Sequence, residues 1–179
     1  MDVMIDMETL ATGNDAVILT IGAVKFDPFN LLEPSAPFYV KVNVDEQVAL
    51  GRNISESTLD WWSKQAEDVR EEALSDANRI PLEDVVTQLN KYLSGSSKIW
   101  AQGVMFDIGI LENLYQSMGR PVPWQYWQIR DSRTVMDMGD DSAKTSNAAL
   151  HNALADAYAQ AVSVQQIFKQ LGVKAKGRK

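Results

Sequence analysis

The sequence predicts a single α/β domain, and three observations lead to this prediction. Apolar or alternating runs at residues 1–7, 16–26 and 38–44 are typical of strands. Helical patterns follow over residues 53–93 and 150–171. The length of 179 residues suits one hydrophobic core, and no internal repeat or linker divides the chain.

The later helices and strands are predicted from helix-capping residues and from short apolar or aromatic runs. Ser57 is placed to cap a helix that carries two adjacent tryptophans, and Pro81 fits the first turn of the next helix. Residues 98–101 are a short, apolar strand candidate. The aromatic run 124–129 predicts a fifth strand, and residues 130–138 a short helix. The domain is expected to end near residue 173.

Composition restricts the class of protein. The formal net charge of −7 argues mildly against a protein that coats nucleic acid. The chain has no cysteine, so it has no disulfide framework and no thiolate metal site. No apolar run approaches the ~20 residues of a membrane span, and no secretory signal begins at Met1. The expected compartment is therefore the cytoplasm. Residues 174–179 form a basic tail, which we expect to be disordered or to contact phosphate.

Two carboxylates at the end of the first strand are candidate metal ligands. Asp6 and Glu8 are spaced i and i+2, so both project to one face of a strand. Val3, Ile5 and Met7 then project to the opposite face. Neighbouring carboxylates repel each other, and a divalent cation such as Mg²⁺ would convert that repulsion into coordination. Taken alone, such a pair is more often two ordinary surface acids.

A third acid and the one histidine of the chain each lie next to the start of a predicted helix. Asp107 lies where a strand and a turn give way to a helix, which fits either a metal ligand or a capping acid. His151 precedes Asp156 by five residues, which would place them on different faces of one helix. If Asn152 caps the helix instead, His151 lies on the preceding loop and can fold back over the site that Asp156 faces. A lone histidine at such a position is otherwise structural or exposed.

Together these motifs are similar to a known family. Asp6-x-Glu8, Phe106-Asp107 and His151-x4-Asp156 resemble the three exonuclease motifs of the DEDDh, or DnaQ-like, 3′–5′ exonucleases. Residues 57–62, 102–107 and 126–134 are similar to the corresponding segments of the phage exodeoxyribonuclease A group and its exoribonuclease relatives. Many relatives carry Asn shortly before the second-motif Asp, where this chain has Gln102-Gly103.

The resemblance implies a ribonuclease H-like fold, with a five-stranded mixed sheet and helices on both sides. It also implies two divalent cations, Mg²⁺ or Mn²⁺, about 4 Å apart and held by four carboxylates: Asp6, Glu8, Asp107 and Asp156. One ion would activate a water, and the other would stabilise the leaving 3′ oxygen. His151 would complete the catalytic set as the general base, because a neutral imidazole near pH 7 can accept a proton from that water.

Three candidate substrate contacts adjoin these motifs. Thr9 and Leu10 directly follow Glu8, so both are expected next to the site. Leu10 is a candidate wedge against the terminal base, and plain core is the alternative. Phe106 directly precedes Asp107 and is expected to contact the substrate as well.

Three more candidates come from the aromatic and basic segments. Trp61 and Trp62 point about 100° apart on a helix, so we expect one in the core and the other, Trp61, to stack on a base. Arg130 and Arg133 are candidate phosphate contacts, and pairing with a nearby aspartate is the alternative.

The predicted activity is metal-dependent 3′–5′ exonuclease cleavage of single-stranded nucleic acid with a free 3′ end, releasing nucleoside 5′-monophosphates. DNA is the favoured polymer and RNA the alternative. Discrimination between the two depends on contacts to the 2′-OH, which sequence alone does not place. A catalytically silent nucleic-acid-binding module on the same fold is the competing function. Loss of one acid or of the histidine would have indicated such a module, and none is lost. A purely structural acidic domain is a third alternative.

Overall fold

A mixed sheet with helices on both faces forms the fold. It is seen in a computed structural model that describes residues 1–145 and 151–175. Within those ranges the strands are β1 (Asp2–Thr9), β2 (Ile18–Phe26), β3 (Ser35–Val42), β4 (Arg79–Ile80), β5 (Ile99–Ala101) and β6 (Ile129–Asp131). The helices are α1 (Val44–Ala49), α2 (Glu56–Ser63), α3 (Glu67–Leu74), α4 (Leu82–Leu93), α5 (Asp107–Ser117), α6 (Ser132–Met136) and α7 (Ala153–Gln170), with short 3₁₀ turns at Tyr126–Gln128 and Asp141–Ala143.

The first strand occupies the middle of the sheet, whose order is β4-β3-β2-β1-β5-β6. β1, β2 and β3 form an antiparallel meander, whereas β5 runs parallel to β1 and β6 runs parallel to β5. β5 pairs with β1 only at Val3 and Met4. The sheet therefore opens beside the last residues of β1, which include Asp6 and Glu8.

Alternate residues of β1 pack into separate cores. Val3, Ile5 and Met7 belong to the core under α4 and α5. Met4 packs on the other face, with residues of α6 and α7. The predicted alternation along this strand is confirmed, because the even-numbered positions share the α7 face.

The structure confirms the fold class but has six strands rather than the predicted five. The additional strand, β4, lies in the segment predicted to be helical, and it pairs in parallel with the end of β3. The Arg79 guanidinium holds it there by donating to the carbonyl oxygens of Leu19, Val42 and Ala73. Two residues are too few to show a period of two, so only the tertiary pairing reveals this strand.

The aromatic run 124–129 is not the predicted strand. Residues 126–128 form a 3₁₀ turn, and β6 begins only at Ile129. The turn is closed by two glutamines, since the Gln125 amide donates to Gln128 Oε1 at 2.9 Å. This leaves Tyr126 and Trp127 exposed to solvent.

Side-chain caps set the starts of three helices. Asn43, Ser55 and Asn152 cap α1, α2 and α7, and the side-chain oxygen of each accepts the backbone amide three residues on. The Asn152 cap was predicted. The α2 cap is Ser55 rather than the predicted Ser57, and α1 begins where the third strand was predicted to end.

Two predicted features extend beyond the described residues. The long C-terminal helix is Ala153–Gln170 instead of 150–171, and residue 150 lies outside the described residues. Residues 176–179 of the predicted basic tail lie outside them as well. Within the described part of the chain, no helix has the length and apolar character needed to cross a bilayer.

Gly22 sits opposite Asp6 in the β1–β2 pair, where α7 crosses the sheet. A Cβ on Gly22 would lie 2.2 Å from backbone atoms of Ala153 and Leu154, so the first turn of α7 would have to move. We expect Gly22→Ala to lower the free energy of unfolding by about 2–3 kcal/mol. Divalent-cation binding should weaken too, because Asp156 lies on the displaced turn. Denaturant unfolding and a metal titration measure both effects.

Gly109→Ala is the matched control for this prediction. Gly109 is in α5, and the three atoms nearest to its added Cβ would all belong to the side chain of Asn14, the closest at 3.1 Å. Alanine is also the better helix former. We expect little change in stability from Gly109→Ala, and an equal loss in both variants would contradict the proposed packing constraint at Gly22.

Candidate active site

Three carboxylates from two elements meet where the sheet opens. Asp6 and Glu8 project from β1, and Asp156 projects from the first turn of α7. One oxygen from each of them lies within 4.8 Å of the other two. We call these three residues the acidic cluster. The positive end of the α7 dipole favours the negative charge of Asp156.

Asp107, the fourth predicted acid, begins α5 and is only 3% exposed. The turn before it passes through Gly103, whose φ of +105° favours glycine. Burial raises the pKa of Asp107 well above its usual value, and the nearby charge of Asp6 raises it further. Hydrogen bonds from the backbone amides of Asp107 and Met7 partly offset this rise. The carboxyl group of Asp107 therefore lies close enough to Asp6 and Glu8 for their negative charges to raise its pKa.

Two carboxyl groups of the acidic cluster, those of Asp6 and Glu8, have a raised pKa. Burial raises the pKa of Asp6 to about 7, with a hydrogen bond from Gln160 opposing the rise and the charge of Asp156 adding to it. Burial raises the pKa of Glu8 to about 8, and the charges of Asp6 and Asp156 contribute. Both shifts arise because several carboxylates share a site with little water around them.

The donor set of this site fits a hard divalent cation. The four acids offer carboxylate oxygens, which are the ligands that Mg²⁺ and Mn²⁺ prefer. A cation would also offset the burial and the mutual repulsion that raise the pKa of Asp6, Glu8 and Asp107. The acidic cluster can therefore hold a divalent cation.

Gln160 is a site residue that the sequence reasoning missed. Its Nε2 donates to Asp6 Oδ1 at 2.8 Å, so it orients that carboxylate. Its Oε1 is buried and has no hydrogen-bond partner among the described residues. Gln160 lies four residues after Asp156 on α7, so the two side chains share one face of the helix. The i, i+4 spacing from Asp156 was the feature of the sequence that could have pointed to Gln160 as a site residue.

His151 lies directly before Asn152, the N-cap of α7, so the predicted loop position is confirmed. Its φ is +62°, in the left-handed region that costs free energy for a residue with a side chain. The imidazole contacts the indole of Trp61 edge to face, with ring centroids 4.7 Å apart. Trp61 in turn shares a cavity wall with Glu8, so His151 is linked to this cavity through its contact with Trp61.

A cavity of about 380 Å³ opens beside Glu8, and we call it the cleft. Three predicted substrate contacts line it: Thr9, Trp61 and Phe106. Leu10 is not on this wall; it is 5% exposed in the core that also contains Trp62. Trp62 is 1% exposed and Trp61 39% exposed, which confirms that one tryptophan of the pair is in the core.

The two predicted arginines lie outside the cleft. Arg133 donates from Nη2 to the carbonyl oxygen of Gln102 at 3.1 Å, beside the turn that leads to Asp107. Arg130 donates to the carbonyl oxygens of Trp127 and Ile129, and it lines a separate cavity of about 1100 Å³ that includes none of the four predicted ligands. Neither arginine forms an ion pair with a carboxylate among the described residues. Phosphate contact stays a prediction for both.

We expect the cation-free protein to lose stability as the pH rises from 5 to 8. In the folded state the pKa is about 7 for Asp6 and about 8 for Glu8. In the unfolded state the same carboxyl groups lose their protons at about pH 4. The folded state therefore binds more protons in this window, and the free energy of unfolding falls as the pH rises. Thermal melts in EDTA should give a lower Tm at pH 8 than at pH 5. Mg²⁺ should raise Tm more at pH 8.

Glu8→Gln provides the control, because it removes one of the titrating groups while keeping the size of the side chain. The dependence of Tm on pH in EDTA should be flatter in this variant. An unchanged dependence would mean that other groups cause it.

The chain is similar to known exonucleases in sequence and in fold. The exodeoxyribonuclease of enterobacteria phage T4 is 24% identical, and the match covers 76% of this chain and 70% of that protein. Exonuclease X, solved in complex with 5′-overhanging duplex DNA, matches with a TM-score of 0.53 and 19% identity over 98% of this chain and 95% of that chain. The nuclease domain of 3′hExo, a DEDDh family member bound to rAMP, matches with a TM-score of 0.62 and 14% identity over 99% and 95%. These matches confirm the ribonuclease H-like fold class.

The family model of the Rv2179c-like 3′–5′ exoribonuclease domain matches residues 1–168. This range contains β1, α5 and α7, and with them every predicted metal ligand and His151. The protein therefore belongs to the Rv2179c-like 3′–5′ exoribonuclease family and is a 3′–5′ exonuclease of the DEDDh type.

Proposed function

We propose that the protein degrades single-stranded nucleic acid from a free 3′ end by a two-metal mechanism and releases nucleoside 5′-monophosphates. The observation that carries this proposal is the acidic cluster beside the cleft, with ligand oxygens of Asp6, Glu8 and Asp156 within 4.8 Å of one another. A cation site and a cavity for a terminal nucleoside then lie next to each other, as removal of one nucleotide at a time requires.

Four residues would hold the two cations: Asp6, Glu8, Asp107 and Asp156. When bound, Mg²⁺ or Mn²⁺ ions supply an activated water and stabilise the charge that develops on the leaving 3′ oxygen. The protein contributes rigidity, since Asp6 and Glu8 are part of the central strand and Asp107 and Asp156 begin helices. Gln160 fixes the Asp6 carboxylate through its hydrogen bond of 2.8 Å.

His151 would accept the proton of the attacking water. The four acids are unsuited to this role, because carboxylates that bind cations stay ionised and are weak bases. A neutral imidazole near pH 7 accepts a proton readily and can pass it to solvent. Two observations support this role: His151 directly precedes the α7 cap, and its ring contacts Trp61, which lines the cleft with Glu8.

The cleft would hold the terminal nucleoside of the substrate. Trp61 is partly exposed on its wall and offers a face or edge to a base, and Phe106 lies on the same wall. Thr9 would contact the sugar or base next to Glu8. Leu10 supports this wall from the core instead of touching the substrate.

Both RNA and DNA are candidate substrates. The family description names an exoribonuclease, whereas the similar phage T4 protein is named an exodeoxyribonuclease. The polymer is therefore best assigned by direct competition. Single strands are the expected form, because a cleft of about 380 Å³ accommodates one unpaired terminal nucleoside.

The test uses 5′-labelled DNA and RNA oligonucleotides of equal sequence with Mg²⁺, Mn²⁺ or EDTA. We expect a metal-dependent ladder that shortens from the 3′ end, and the polymer degraded faster identifies the substrate. Asp107→Ala, run in parallel, reveals any contaminating nuclease. Binding of either polymer without digestion would contradict the catalytic proposal and favour a silent nucleic-acid-binding module.

A further inference from the structure

We propose that Trp61, on the wall of the cleft, is a positioning residue that holds the imidazole of His151 in place. The inference rests on the proposed function, because it concerns the histidine that would act as general base. It gives Trp61 a role that acts through another residue, in addition to contact with a nucleobase.

The described contacts of the His151 side chain favour this role for Trp61. Its backbone is in the left-handed region, with φ at +62°, and the helix starts only after the next residue. A general base is usually oriented by a hydrogen bond to a third group. Among the described residues the imidazole makes no hydrogen bond, and the ring it contacts is that of Trp61, at 4.7 Å between centroids. The interplanar angle of 87° is the favoured edge-to-face geometry.

Trp61 is in turn packed against the buried Trp62. Its ring meets that of Trp62 edge to face, with centroids 5.0 Å apart. Trp62 is 1% exposed, and its indole N–H donates to the carbonyl oxygen of Thr9 at 2.9 Å. Thr9 is the last residue of β1 and directly follows Glu8. An unbroken series of contacts thus joins the strand that carries two metal ligands to the imidazole of His151.

This arrangement separates two roles for Trp61 that predict different kinetics. If Trp61 only stacks on a base, its loss raises KM and is independent of His151. If it positions His151, its loss lowers kcat, because the base is no longer held where the water proton is taken up. The exposed part of Trp61 remains available to substrate in either case.

The first experiment observes His151 directly in the cation-free, substrate-free protein. Because the chain has one histidine, the imidazole C–H signals in an NMR spectrum belong to His151 alone. We expect nuclear Overhauser contacts between the imidazole and the indole of Trp61, together with a ring-current shift of the imidazole protons. Trp61→Phe should keep both an aromatic contact and a shift, whereas Trp61→Leu should lose them. Trp127→Leu, the same change at an exposed tryptophan outside the cleft, should leave the imidazole signals unchanged.

The second experiment measures turnover by the Mg²⁺-loaded protein in a double-mutant cycle. We expect Trp61→Leu to lower kcat about tenfold to hundredfold, with Trp61→Phe restoring most of it and Mg²⁺ affinity unchanged. In a His151→Ala background, Trp61→Leu should lower kcat no further. Equal losses of kcat in both backgrounds, or unchanged imidazole signals in Trp61→Leu, would overturn the inference.

The two experiments also distinguish this inference from the proposed function. If His151→Ala keeps full activity, the assignment of the general base is wrong, and the positioning role fails with it. The NMR contact would then show only that the two rings pack together.

Discussion

Asp6→Asn is expected to lower exonuclease activity by about 10³-fold or more and to abolish divalent-cation binding. Several kcal/mol of charge stabilisation by bound cations correspond to a rate factor of about this size. Asparagine has nearly the shape of aspartate, and its side-chain oxygen can still accept the hydrogen bond that Gln160 donates to Asp6 Oδ1. The loss would therefore come from the missing charge. Initial rates on a labelled oligonucleotide and calorimetric Mn²⁺ titration measure the two effects.

Asp2→Asn is the matched control for this prediction. Asp2 begins the same strand and is also buried, but its carboxylate accepts a hydrogen bond from Trp100 Nε1, away from the acidic cluster. Asp2→Asn should keep Mn²⁺ binding and activity. Without cation, Asp6→Asn should be more stable than the wild type at pH 8, because it removes one of the mutually repelling charges. An equal loss of activity in the two variants, or a destabilised Asp6→Asn, would contradict the proposed role of Asp6.

His151→Ala is expected to lower kcat by about 10²–10⁴-fold and to leave Mn²⁺ affinity nearly unchanged. A positioned general base contributes a factor of this size, whereas the proposed cation ligands lie on β1, α5 and α7. The chain has no second histidine to take over the role. Single-turnover kinetics at saturating metal, compared with calorimetric Mn²⁺ titration, separate the two quantities.

Free imidazole serves as the control for His151→Ala. The truncation leaves space beside Trp61, and added imidazole should restore part of the rate to His151→Ala but none to Asp6→Asn. A loss of Mn²⁺ affinity as large as the loss of kcat would contradict the assignment of His151 as a base, since it would mean that the histidine belongs to the metal site.

Much of the site was predictable because it depends on short-range geometry. In a strand, residues two apart project to one side, and this is enough to bring Asp6 and Glu8 together. A cap followed by a helical pattern is enough to place His151 on a loop and Asp156 on the first turn of α7. The order and spacing of these residues along the chain also carried the resemblance to the DEDDh exonucleases, which the family match confirms.

Other features were decided by tertiary structure alone. Gln160 reaches Asp6 across 154 positions of sequence, and its i, i+4 spacing from Asp156 gives only the helix face, not that hydrogen bond. The close approach of α7 to the sheet depends on the absence of a side chain at Gly22, which is informative only once the helix is seen to cross there.

The contact between Trp61 and His151 likewise joins two elements that are distant in the chain. The two-residue strand β4 exists only because β3 offers it an edge and Arg79 ties it to three carbonyl groups. The sequence by itself determined the fold class, the direction in which Asp6 and Glu8 point and the loop position of His151, because these depend on backbone periodicity and capping over a few residues. Packing between distant segments decided which side chains support the proposed catalytic groups, because such contacts form only when the helices close on the sheet.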